Sequence, residues 1–415
     1  MKKICNIFLG LILALIFIIN LKWGNNDHLV SYDGIELDYV KATVVDIVDE
    51  TLDYPYNSKP VGIQNIKAKI RKTGEIVDVE NKLEASHSVL VKKNDKVILA
   101  KSRNPHHNSE TFYRMYNYDR SFSTILWMGI FIIFIALVAG SRGIKSTIAL
   151  VISIYIILFF DISLIMNGFN NIVITILTVI LCTIYSTLIL YGYSKMSLIN
   201  MISVSVSFVF VSILVKLMSI GLNISGYNLE NVGELILVIG KVWKLNIENL
   251  LFSTVAISAL GASMDVSVSI ASALREIQSL NKDVSSKKLF KSGMSIGRDI
   301  IGTMVNTLVF AFIGSSLVSI MIFILHGTNT FNRVVSSDFF AVEITKALIG
   351  ISVVIIMVPV TSFFASKIYS ENIFNEHIKW YAFFVRRKPP VRLGVQYSFS
   401  DEKPTKNLLW YIIKL

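Results

Sequence analysis

The sequence predicts a polytopic α-helical membrane protein of about eight spanning helices, with a small extracytoplasmic all-β domain after the first helix. Three observations carry this reading. Of 415 residues, 53% are hydrophobic, and the mean hydropathy is +0.60. Only 17% are charged, where a soluble protein of this size carries about 25%. The apolar residues also gather into separate runs of the length that crosses roughly 30 Å of hydrocarbon. These values exclude a disordered chain, a collagen and an ordinary soluble enzyme. Cys5 and Cys182 both lie in apolar runs, so neither a disulfide framework nor a cysteine metal site is available.

The expected spans are 5–21, 123–140, 146–166, 172–193, 201–221, 250–273, 300–325 and 342–366. The first follows Met1-Lys2-Lys3 and ends Ile19-Asn20-Leu21-Lys22-Trp23 without a small-x-small cleavage site. Residues 1–23 therefore read as an uncleaved signal anchor, with Trp23 at the interface. Residues 24–121 are polar and show period-two alternation, as in Ile66, Ala68 and Ile70 between Lys67, Lys69 and Arg71. A turn at Lys72–Glu75 and a return strand from Ile76 follow. Tyr39–Val48 and Lys96–Ala100 read as further strands, and Asn94 suits a left-handed turn. A barrel or sandwich of about five strands is expected. Residues 122–368 form a seven-helix membrane domain, and 369–415 form a basic cytoplasmic tail.

The net charge of +11 records topology. The 24–121 segment holds 14 Lys and Arg against 15 Asp and Glu. The basic residues concentrate instead in 141–145, 194–200, 274–299 and the tail. The positive-inside rule places these and both termini in the cytoplasm and the β domain outside. A nucleic-acid partner is not expected; the lipid bilayer is. Residues 234–245 carry a short apolar run between Glu234 and Lys241, too short to span, and read as interfacial or re-entrant, with Trp243 as an anchor.

Ionisable residues inside a membrane cost up to about 3.5 kcal/mol each on insertion scales, so each needs a reason. Asp161 and Lys216 fall near span ends, where snorkelling or local pairing suffices. Glu343 and Lys346 are spaced as a helix ion pair. Asp265 lies well inside its span, in the run Gly261-Ala262-Ser263-Met264-Asp265-Val266-Ser267. It reads either as an interhelical hydrogen-bond pin or as an ion or proton site. The next span opens with Gly293, Gly297, Arg298, Asp299, Gly302, Thr303 and Asn306. Asp299, Thr303 and Asn306 share one helical face. Asp265, Asn306 and Thr303 are thus expected to share a polar site, with Arg298 and Asp299 at its mouth. Gly261, Gly293, Gly297 and Gly302 are expected to let helices approach. Pro359 is expected to kink the last span. No nucleophile stands beside a base, and no Walker loop, Gly-x-Ser-x-Gly or His-Glu-x-x-His motif occurs. His106-His107 reads as solvated loop. No enzyme activity, cofactor or metal is expected.

The runs Ala259-Leu260-Gly261-Ala262-Ser263-Met264-Asp265-Val266 and Gly297-Arg298-Asp299-Ile300-Ile301-Gly302-Thr303-Met304-Val305-Asn306-Thr307-Leu308 resemble the YibE/F family of bacterial multi-pass membrane proteins. The sequence has Ser258 where that family commonly has glycine and Val305 where it commonly has threonine. The resemblance implies an external N-terminal domain and a permease-like membrane part, and leaves the activity open. Two functions are expected from the residues. One is a transporter or permease for a small solute or ion, using the polar site between the sixth and seventh spans. The other is a non-transporting scaffold or signalling component that binds a protein partner through its external domain.

Overall fold

The structure is a computed structural model that describes residues 31–32, 35–54, 59–84, 88–103, 111–230, 232–239, 245–325 and 331–370. The expected first span, His106-His107, Trp243 and the tail from 371 lie outside the described residues.

The N-terminal part is a closed β-barrel. Its strands are β1 (Ser31–Tyr32), β2 (Ile35–Asp53), β3 (Val61–Ile70), β4 (Ile76–Leu83), β5 (Lys96–Arg103) and β6 (Thr111–Tyr118). The sheet order is β1-β2-β3-β4-β6-β5, and β5 pairs back onto β2 to close it. β4 and β6 run parallel. This is the strand order of an OB-type barrel. Closure depends on β2, whose 19 residues pair with both β3 and β5. Register shifts at Val44/Asp46 and Ile47/Asp49 let it bend between the two partners.

The period-two pattern explains which residues fill the barrel. Gln64, Ile66, Ala68 and Ile70 of β3 point inward, as do Val77, Val79, Asn81 and Leu83 of β4. The two inward amides are satisfied. Asn81 Nδ2 donates to Gln64 Oε1 at 3.1 Å and to the Val89 carbonyl at 2.8 Å. Gln64 in turn accepts the Val91 N–H at 3.1 Å. Asn94 takes the expected left-handed turn, with φ 72°.

Asp119 ties the barrel to the first helix. Its carboxylate meets Arg71 at 3.2 Å, Lys41 at 3.4 Å and the Ser121 N–H at 3.2 Å. The Ser121 side chain, more than its N–H and Lys41, holds the Asp119 carboxyl below its ordinary range. A carboxyl lowered on folding stabilises the fold above the unfolded value, near pH 4, and loses that effect as pH falls through the folded value. Asp119→Asn is therefore expected to destabilise the 24–121 fragment by about 1 kcal/mol at pH 7. The difference from wild type should shrink below pH 4, as followed by circular dichroism melts.

Helix α1 (Ser121–Met166) begins two residues later. It is followed by α2 (Asn171–Tyr191), α3 (Lys195–Leu222), α4 (Val232–Ile239), α5 (Leu250–Leu280), α6 (Ser286–Ser315), α7 (Leu317–Leu325), α8 (Phe331–Val335) and α9 (Asp338–Ser370). Six of these, α1, α2, α3, α5, α6 and α9, are long and apolar enough to cross a membrane. α1 corresponds to two expected spans. Its 46 residues would run about 69 Å if straight. It is broken at Gly140, whose φ of 57° and ψ of −140° are not helical. A Cβ on Gly143 would stand 2.6 Å from the Ile135 carbonyl oxygen. In a straight helix, residues eight apart are separated by about 12 Å of rise, so the chain doubles back here.

α9 packs on α3, α5 and α6, while α2 packs on α1, α3 and α5. The helical assignment runs through Pro359 without a break. Ends of the bundle are marked by loop contacts. At one end Lys195 Nζ donates to the Ile368 carbonyl at 3.3 Å, and Gln278 donates to that of Tyr369. At the other, Asn171 Nδ2 donates to the Asn246 carbonyl at 2.8 Å. Lys216 pairs locally with Glu248 at 3.9 Å, and Lys346 with Glu343 at 2.6 Å.

Candidate functional site

The polar residues singled out in the sequence occupy helix surfaces. Asp265, Arg298, Asp299, Thr303 and Asn306 are all exposed in the isolated chain. Asp265 shares an exposed stripe of α5 with Thr254, Ser258, Gly261, Ser269 and Ser272, opposite the face buried in the bundle. Thr303 and Thr307 donate to carbonyls of their own helix. Among the described residues no hydrogen bond joins Asp265 to Asn306. The glycines divide in two. A Cβ on Gly297 would lie 2.2 Å from Val358 Cγ1, and one on Gly293 would lie 2.6 Å from Ser362 Oγ, so both sit where α6 meets α9. Gly261 and Gly302 have open space where a side chain would be.

A second set of polar side chains lies inside the bundle. α3 buries Ser197, Asn200, Ser203 and Ser207, three to four residues apart on one face. α5 turns Ser253, Ser263 and Ser267 inward, and α9 turns Thr345, Thr361, Ser362 and Ser366 inward. Asn200 is 0% exposed, yet neither its Nδ2 nor its Oδ1 has a protein partner. The hydroxyls of Ser203, Ser207, Ser267, Thr361 and Ser362 are also buried without one. Each such group costs about 1–3 kcal/mol if left dry. Native interiors keep them where water or an ion supplies the missing bond. α3, α5 and α9 pack directly on one another, and their inward polar faces make up a polar seam; Ser362 is the exception, its hydroxyl lying against Gly293 of α6.

Asp161 lies at one edge of this interior. The sequence suggested a snorkelling or ion-paired side chain, but it is 1% exposed. No Lys, Arg or His among the described residues pairs with it. The cause is local: Ile157–Ile162 form a π-helical turn, a wider turn that redirects the side chains it carries. The turn lies against α2, and Thr178 Oγ1 donates to Asp161 Oδ1 at 2.8 Å. Thr175, one turn earlier on the same face of α2, also faces the carboxylate, and its hydroxyl meets Ser253 Oγ at 2.7 Å.

Long apolar helices around buried polar groups define a helical membrane protein. A family model described as YibE/F-like protein matches residues 127–371. That is more than half of the chain, and the chain belongs to the YibE/F-like family. The match covers Asp161, the seam on α3, α5 and α9, and the exposed stripe, and it leaves out the barrel. Neither curated proteins nor solved structures gave a match.

Proposed function

We propose that this is a multi-pass, permease-like transporter of the bacterial plasma membrane, which passes a small polar solute or ion through the seam between α3, α5 and α9. The observation that carries the reading is the set of buried polar atoms without protein partners, centred on Asn200. Buried serine and threonine are ordinary where membrane helices pack; the fully buried amide of Asn200, with neither end bonded to protein, is what favours a path that holds water. The two arms of α1 each count as one crossing in this reading. With α2, α3, α5, α6, α9 and the N-terminal anchor they make eight. The basic loops gather at the Lys195–Ile368 end, which supports cytoplasmic termini and an external barrel. Asp265 and the Asp299–Thr303–Asn306 face would then line a second, outward-opening surface of the same domain.

A scaffold reading has one observation in its favour. Tyr39 and Tyr116 stack edge-on at 4.8 Å on the barrel surface, and Phe112 stands exposed on the same strand as Tyr116. Exposed aromatics suit a protein partner.

The test is flux. Proteoliposomes are loaded in turn with small cations, anions, amino acids and sugars. Flux of one class above that of empty vesicles is expected. The absence of flux for every class, together with a seam that excludes water, overturns the transport reading.

A further inference from the structure

We infer that Asp161, with the hydroxyls of Thr175, Thr178 and Ser253, forms a binding site for a monovalent alkali-metal cation. An ionised carboxylate at 1% exposure needs a counter-charge. None is supplied by a side chain among the described residues. The hydroxyls around it offer few hydrogens. Thr178 has one, drawn both to Asp161 Oδ1 at 2.8 Å and to the Ile174 carbonyl at 3.0 Å. Thr175 and Ser253 have two between them, of which one lies in their mutual bond.

A second oxygen points the same way. Asn171 is fully buried, and its Nδ2 is spent on the Asn246 carbonyl. Its Oδ1 has no protein partner. Asn171, Thr175 and Thr178 follow at i, i+4 and i+7, on one face of α2. The Ser163 hydroxyl, two residues beyond Asp161, is also buried without a protein partner. Hydroxyl hydrogens can solvate the carboxylate but cannot neutralise its charge, and a cation does.

The donor chemistry selects the class of ion. Every candidate ligand is a hard oxygen, which suits alkali and alkaline-earth ions over Zn²⁺ or Cu²⁺. The cluster contains a single carboxylate. No group of three or more His, Cys, Asp or Glu able to hold a metal ion occurs among the described residues, and one negative charge balances one positive charge. The site joins α1, α2 and α5, so an ion there biases how these helices pack. The inference deepens the transport reading by naming the ion that would couple to the seam.

The test uses the full chain purified in detergent. Its thermal midpoint is followed in NaCl, KCl and choline chloride at constant ionic strength, with equilibrium binding of ²²Na⁺ or ⁸⁶Rb⁺. The expected result is a saturable rise in Tm of a few degrees with Na⁺ or K⁺ but not choline, and one ion bound per chain. Asp161→Asn, which keeps an oxygen for Thr178, should lose both, Thr175→Ala should weaken binding several-fold, and Asp283→Asn in an exposed loop should change nothing. Should Asp161→Asn fail to fold, the wild-type salt response and Thr175→Ala decide. Identical midpoints in all three salts with no bound isotope overturn the site. So does alkali binding that survives Asp161→Asn. Binding that requires Asp161 in a protein showing no flux would leave the cation site standing and remove the transport reading.

Discussion

Replacing Gly297 with leucine is expected to destroy the folded bundle, while the same change five residues on, at Gly302, leaves it intact. The contrast follows from what each glycine faces. A Cβ on Gly297 alone would lie 2.2 Å from Val358 Cγ1 and 2.9 Å from Cγ2. Val358 is itself 1% exposed and has nowhere to go. One turn earlier, Gly293 is held against Ser362 in the same way. α6 has little other attachment, since Leu289, Gly293 and Gly297 are its buried residues. Overpacking usually costs about 1–3 kcal/mol, and here a whole isobutyl group is forced into a contact that α6 cannot replace. The upper end, about 3 kcal/mol, is expected. A Cβ on Gly302 would meet nothing within 4 Å, and Gly302→Leu gains helix propensity of up to about 1 kcal/mol. Monodispersity and thermal midpoint in detergent check both. A Gly297→Leu protein as stable as wild type would mean that α6 and α9 do not pack through this glycine pair.

Asn200→Leu is the second large effect, and its sign separates a wet seam from a dry one. In a dry interior, the amide leaves a donor and an acceptor unsatisfied at about 1–3 kcal/mol each. Removing them should then stabilise the protein by several degrees in Tm. In a hydrated seam the amide is already bonded to water. Leucine then gains nothing, displaces that water and strands the unpartnered hydroxyl of Ser203. The expected result is an unchanged or lower Tm with flux reduced at least tenfold. A clear rise in Tm would show that the seam is packed and dry.

How much of this was legible in the sequence depends on charge and period. Alternation at Ile66, Ala68 and Ile70 revealed the barrel strands, because a period of two leaves a direct trace in polarity. The barrel's closure did not show, since it rests on β2 pairing with two partners across bulges. Apolar runs located the helices, and Gly140 sits where two expected spans meet. The site was harder. A charge and an amide stand out in apolar sequence, which singles out Asp265 and Asn306, yet both are exposed. Asn200, Ser203 and Ser207 carry no charge, and an isolated serine in a membrane helix is ordinary. Their signal was the common face they share with Ser197, visible only as a spacing. Asp161 was judged by its distance from the span end, and a π-helical turn that rotates it inward has no sequence signature of its own.

The central claim is that water reaches the seam, and thiol accessibility at Ser207 tests it most directly. Ser207 is 0% exposed, and its hydroxyl has no protein partner. With Cys5 and Cys182 replaced by alanine, Ser207→Cys is treated with a small charged methanethiosulfonate reagent in reconstituted vesicles. Ser279→Cys, on the exposed surface of α5, serves as the reactive control, and Ile156→Cys, fully buried in the apolar core on α1 and outside the three seam helices, as the inert one. A wet seam predicts that Ser207→Cys reacts more slowly than Ser279→Cys but to completion, and that modification blocks flux. A Ser207→Cys protein as inert as Ile156→Cys, while Ser279→Cys is fully labelled, would contradict the account.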